Sequence, residues 1–211
     1  MTSHWEIGYL HCLKAIQTML NSVLRSPITW ITALLLLGIS TRFASAFIDG
    51  YPPNFTALGA VALFGAASFR SLKWGMLAPM LALLFSDIVF ELMQPGNGFY
   101  GPTQFVVYGA FALMAFSGRG LHHYQHSRSF PLQIGGRALI ASSLFFLVTN
   151  FSVWLTSPMY SRTGAGMLQC YTAALPFFRS QIAGNLFFSA VLFGLAAVVH
   201  QYVTNMKPAR A

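Results

Sequence analysis

Six stretches of apolar residues, separated by short polar or glycine- and proline-rich turns, run from residue 28 to residue 202. The first, 28–48, is long enough as a helix to cross a hydrocarbon core of about 30 Å. The second, 54–69, is short and follows Pro52 and Pro53. The third, 75–93, carries Asp87 and Glu91, and the fourth spans 103–117. The fifth covers 137–155 and is followed by a long connection, 156–181. Within that connection, 166–178 is apolar enough for a short helix at the membrane interface. The sixth stretch is 182–202. Pro95-Gly96-Asn97-Gly98 and Ser157-Pro158 supply turn chemistry where the third and fifth stretches end. Ahead of them, Trp5, Leu10, Leu13, Ile16, Leu20, Val23 and Leu24 fall at roughly helical spacing among His4, Lys14 and Arg25. That pattern predicts an amphipathic segment on the membrane surface.

The expected fold is therefore an all-α membrane protein: a six-transmembrane-helix bundle, with an amphipathic N-terminal segment and a short interfacial helix between helices five and six. Residues 1–26 form the cytoplasmic or interfacial segment, 27–205 the membrane domain and 206–211 a cytoplasmic tail. Inside the second stretch, Gly59, Ala62, Gly65 and Ala66 lie three or four apart and share one helical face. A face without bulk lets another backbone approach, for packing within the bundle or docking to another subunit.

Composition agrees with a lipid setting. The chain is 55% hydrophobic and only 8% charged over 211 residues. A soluble domain has about 25% charged residues. The net charge of +8 comes from 12 Lys and Arg against 4 Asp and Glu. No aromatic and basic platform accompanies it, so nucleic acid is not an expected partner. With the N-terminus in the cytoplasm, nine of these cations fall in inner loops, two in outer loops, and Arg42 within the membrane. The opposite orientation inverts the ratio, so both termini are expected in the cytoplasm. Cys12 and Cys170 then lie on opposite sides and are not expected to pair, and no cleavable signal peptide is evident.

In this topology the embedded polar groups gather near the outer face. Arg42 is late in the first stretch; Asp87 and Glu91 are late in the third, four residues apart. Asn54 opens the second, either as a helix cap or as a pocket residue. Asn150 and Trp154 end the fifth; Arg162, Tyr171 and Arg179 lie in the outer connection. A lone charge at mid-membrane costs on the order of 3 kcal/mol, so Arg42 is expected to pair with Asp87 or Glu91. Such a pair serves equally as a staple between helices or as part of a polar, outward-facing pocket. Trp154 and Tyr160 also suit an interfacial aromatic belt, and nothing marks the Cys170 thiol as activated. His122, His123 and His126 have no acidic or cysteine partner near in sequence, and His200 stands alone, so no metal or cofactor is expected. No metalloprotease, nucleophile-elbow, phosphate-loop or heme-attachment motif occurs, which argues against an enzyme.

Pro53-Asn54-Phe55-Thr56 through Gly59-Ala60-Val61-Ala62-Leu63-Phe64-Gly65 resembles the signature of an uncharacterised bacterial membrane family described as transport proteins. The similarity extends to Ser86-Asp87, to the run from Thr149 to Trp154, to the run from Cys170 to Phe178, and to Gly184-Asn185-Leu186 and Val191-Leu192-Phe193-Gly194. The family pattern leads one to expect an acidic residue where Asn185 stands. The architecture is also similar to the S components of energy-coupling-factor vitamin transporters, whose first helix docks on a coupling subunit; here Ala62 and Ala66 are on the second.

The resemblance implies a bacterial inner-membrane location and a transport role for a small polar or vitamin-like solute. Arg42, Asn54, Asp87, Glu91, Asn150, Trp154, Arg162, Tyr171 and Arg179 would line or gate the pocket. The alternative is an accessory or scaffold subunit of a larger complex, whose 20 Phe, 8 Tyr and 4 Trp would contact pigment, quinone or lipid.

Overall fold

The computed structural model describes residues 22, 26–69, 71–96, 98, 99, 101–124 and 127–205, and the described residues from 26 onward form six α-helices. They are α1 (Pro27–Phe47), α2 (Leu58–Ser68), α3 (Leu72–Met93), α4 (Thr103–Ser117), α5 (Phe130–Thr156) and α6 (Gly164–Asn205). A 3-10 turn, Leu121–Tyr124, links α4 to α5, and no strand occurs among the described residues. The amphipathic segment expected over 1–26 and the tail at 206–211 fall almost wholly outside them, as do Cys12 and His126. Four helices, α1, α3, α5 and α6, are long and apolar enough to cross a bilayer, the pattern of a multi-pass membrane protein. With 11 and 15 residues, α2 and α4 are shorter.

The bundle is built around α2. Every residue from Leu58 to Ala66 is buried, and α2 packs against each of the other five helices. At 1.5 Å per residue it is only about 16 Å long. Being enclosed by protein, it has no lipid thickness to match. Lipid is as apolar as leucine, so close backbone packing, not the hydrophobic effect, must hold such a helix. Its glycines provide this. A Cβ on Gly65 would stand 2.3 Å from the Gly75 carbonyl oxygen of α3, and one on Gly59 would stand 2.3 Å from Asn185 Oδ1 of α6. Ala62 and Ala66 are buried between α3, α4 and α5 among Ala82, Leu83, Met114 and Ala141. The small-residue face is thus consumed inside the chain and offers no outer docking surface.

The cap of α2 is not Asn54. The Ala57 amide donates to Thr41 Oγ1 of α1 at 3.0 Å. Asn54 adopts φ 61° in the turn before it, a left-handed conformation that asparagine tolerates better than most residues. Because Thr41 lies well short of the end of α1, α2 begins below the top of the bundle, and residues 48–56 fold down to meet it. Gly184 of α6 lets the chain pass closely there, since a Cβ would approach the Thr56 amide at 3.1 Å.

The separate interfacial helix expected over 166–178 does not occur as such: it is the first part of α6, a single 42-residue helix containing Pro176. At about 63 Å it is twice the thickness of a hydrocarbon core. Its N-terminal portion is tied to α5 by stacking of Phe146 on Phe178, centroids 4.3 Å apart, and by the Tyr171 hydroxyl donating to the Leu147 carbonyl at 2.7 Å. Those contacts carry the helix past the proline, whose missing amide removes only one internal hydrogen bond.

Candidate functional site

Asp87, in the last third of α3, is 1% exposed. Three helices converge on it. Arg42 of α1 donates Nη1 to Oδ1 at 2.7 Å, and the same nitrogen reaches the Leu83 carbonyl at 3.4 Å. From α4, Gln104 Nε2 and Tyr108 Oη both donate to Oδ2, the latter at 2.9 Å. Gln104 and Tyr108 are four apart and so project from one face. Both carboxylate oxygens are satisfied, as a buried charge requires. The guanidinium also lies 5.3 Å from the centre of the Phe90 ring.

Glu91 does not join the pair. Its two oxygens accept the Gly96 and Gly98 amides, each at 3.0 Å. One turn beyond Asp87, it has reached the end of α3, where the amides of the next connection turn back toward it. Gly98 fits there because a Cβ would stand 2.1 Å from the Asp87 carbonyl oxygen. Glu91 therefore shapes the α3–α4 connection, and the expectation that it lines a pocket with Arg42 is corrected.

Arg42 forms part of the wall of a cavity of about 680 Å³ lined by residues of all six helices. Asn54, Thr56, Thr149, Gln181 and Asn185 bring uncharged hydrogen-bonding groups to it. Pro102, Thr103, Thr156 and Ser157 line it where α4 begins and α5 ends. The Thr103 and Thr156 hydroxyls are 3.1 Å apart, joining those two helices. Leu58, Val107, Phe111, Met114 and Phe145 make its apolar part. Asn185 is 3% exposed and donates Nδ2 to Ser142 Oγ at 2.7 Å. Gly59 leaves the space that this amide occupies.

Of the residues expected from sequence, Arg42 and Asn54 line the cavity, and Asp87 stands behind Arg42. The others lie elsewhere. Asn150 donates to the Phe146 carbonyl of its own helix at 2.8 Å. Trp154 Nε1 donates to the Ser161 carbonyl and Arg162 Nη1 to the Trp154 carbonyl, both at 2.9 Å, so these two residues close the α5–α6 turn. Tyr171 pins α6 to α5, and Arg179 is exposed on α6. None of these five, nor Tyr171's neighbour Cys170, is on the cavity wall. Cys170 is buried with its thiol 3.5 Å from the Asn150 carbonyl oxygen. Sequence reading missed Gln104, Tyr108, Thr149 and Gln181. The one available signal was the four-residue spacing of Gln104 and Tyr108 in an otherwise apolar helix.

Among the described residues no three His, Cys, Asp or Glu side chains gather as metal ligands. His200 lies in a small groove between α1, α2 and α6 at the far end of the bundle.

Residues 23–207 match a family of unknown function (DUF6580), and the chain belongs to that family. No curated protein and no solved structure matches it.

Proposed function

We propose that this chain is a membrane transport protein that binds a small polar or vitamin-like solute in the cavity beside Arg42. The supporting observation is the cavity itself: about 680 Å³, within the range of ligand pockets, with convergent hydrogen-bonding groups over an apolar floor. The descending loop at 48–56 adds weight. Irregular backbone at membrane depth is tolerated where it is buried in protein or lines a watery space, and Asn54 and Thr56 of that loop line the cavity.

In this reading all six helices traverse the membrane domain, with α2 and α4 shielded by the longer four. Both termini are cytoplasmic, and the cavity faces outward. The distribution of cations supports that orientation: Arg119, Arg128 and Arg137 cluster at the opposite end from Arg42, and Arg137 holds the end of α4 there by donating to the Ser117 carbonyl at 2.8 Å.

The accessory-subunit reading draws on the exposed apolar side chains, but those suit any lipid-facing bundle. Native mass spectrometry of the protein purified in mild detergent separates the two. A monomer or homo-oligomer carrying an additional small-molecule mass supports the carrier. Stoichiometric co-purification with other membrane proteins, and no such mass, overturns it.

A further inference from the structure

We propose that the solute is a monoanion, a small carboxylate with an apolar or aromatic body, whose charged group is received by Arg42. This rests on the cavity reading above and narrows it.

Arg42 and Asp87 are formally neutral together, yet they do not face the cavity equally. Asp87 is 1% exposed, its oxygens are taken by Arg42, Gln104 and Tyr108, and it is not on the wall. Arg42 is on the wall, with its side chain 15% exposed. A guanidinium has five N–H donors. Nη1 alone serves Asp87 and the Leu83 carbonyl. Among the described residues, no acceptor meets Nη2 or Nε. That remaining edge of the fork suits the two oxygens of a carboxylate.

Among the described residues the wall contains no other ionisable side chain. A carboxylate entering the cavity therefore meets one cation and no competing anion. A dianion such as a phosphate ester would bring more charge than this single, already paired guanidinium can offset. A cation would meet the guanidinium first, because the balancing carboxylate lies behind it. Phe111, Met114 and Phe145 provide apolar surface for the body of the solute. Asn54, Gln181 and Asn185 can read a hydroxyl or amide on it. Asp87 holds the arginine in position while leaving its outer edge available, so its role is positioning.

The test uses the full chain in detergent or nanodiscs and matched probes: benzoate against benzamide, phenylacetate against phenylacetamide, and hexanoate against hexanamide. Binding is followed by titration calorimetry and ligand-induced thermal shift. The expected result is that each carboxylate binds at least about tenfold more tightly than its amide, as loss of a charge-assisted pair implies. The double variant Arg42→Gln with Asp87→Asn keeps a neutral buried pair, and there the preference should vanish. Amides that bind as well as carboxylates overturn the anion assignment and leave the cavity reading standing. Absence of binding by every probe also overturns the assignment, while the mass of any co-purified solute tests the cavity reading independently.

Discussion

Arg42 Nη1 lies 2.7 Å from Asp87 Oδ1, joining the late part of α1 to the late part of α3 inside the bundle. Removing one partner of a buried pair costs about 3–5 kcal/mol, because the other charge is left uncompensated. Arg42→Ala should therefore lower the thermal midpoint in detergent by several degrees. Arg42→Met combined with Asp87→Leu should recover only part of the loss, because Gln104 and Tyr108 lose the acceptor they share. Glu91→Gln acts at the α3–α4 connection, so it should leave the midpoint near wild type and speed proteolysis within residues 94–102. An unchanged midpoint in Arg42→Ala would show that the pair holds nothing together.

The two glycines of α2 should differ. Gly65 faces the backbone of Gly75, which has no rotamer to change, whereas Gly59 faces the side chains of Asn185 and Met114. Overpacking usually costs about 1–3 kcal/mol. Gly59→Ala should fall in that range and weaken solute binding, because the displaced Asn185 moves toward the cavity. Gly65→Ala should exceed it, separating α2 from α3. Thermal unfolding of both variants, with solute binding for Gly59→Ala, checks the order.

Thr41 rather than Asn54 caps α2. Thr41→Val should cost about 1 kcal/mol, the usual loss of a helix cap. Asn54→Gly keeps the positive φ and should change stability by less than about 0.5 kcal/mol. Equal and large losses would mean that the loop, not the cap, anchors this helix.

The orientation can be read in cells. In a background with Cys12→Ser, Asp49→Cys should react with an impermeant maleimide added outside, and Arg128→Cys should react only after the membrane is opened. Both positions are exposed in the fold. The reverse pattern would turn the cavity toward the cytoplasm.

Much of this architecture was legible in the residues. Apolar runs placed five of the six helices to within a few residues at most ends, α5 starting earlier than expected, and the cost of an unpaired embedded charge pointed to Arg42 with Asp87. Glu91 shared a helical face with Asp87, so spacing alone could not tell them apart. The deciding factor was the helix end, where backbone amides of the following turn outcompete a distant arginine. Thr41 was hidden because a threonine in an apolar helix ordinarily bonds its own preceding turn, as this one also does to the Leu37 carbonyl at 3.0 Å. Trp154 and Arg162 looked like pocket residues by depth, but depth does not fix direction: Trp154 turns to the Ser161 carbonyl of the connection, and Arg162 to the Trp154 carbonyl near the end of α5. Continuity of α6 through Pro176 depended on contacts with α5 that no local pattern announces.

In the proposed carrier the cavity beside Arg42 opens to the outside. Thr149 lines it on α5, so Thr149→Cys, with Cys12→Ser and Cys170→Ala, places a single thiol within. Its modification by a sulfonate-bearing methanethiosulfonate is the most direct measurement. Rapid reaction is expected in intact cells, and little when the reagent is added to inverted vesicles, which present the cytoplasmic face. Reaction only from the inner face, or none from either side, would contradict it.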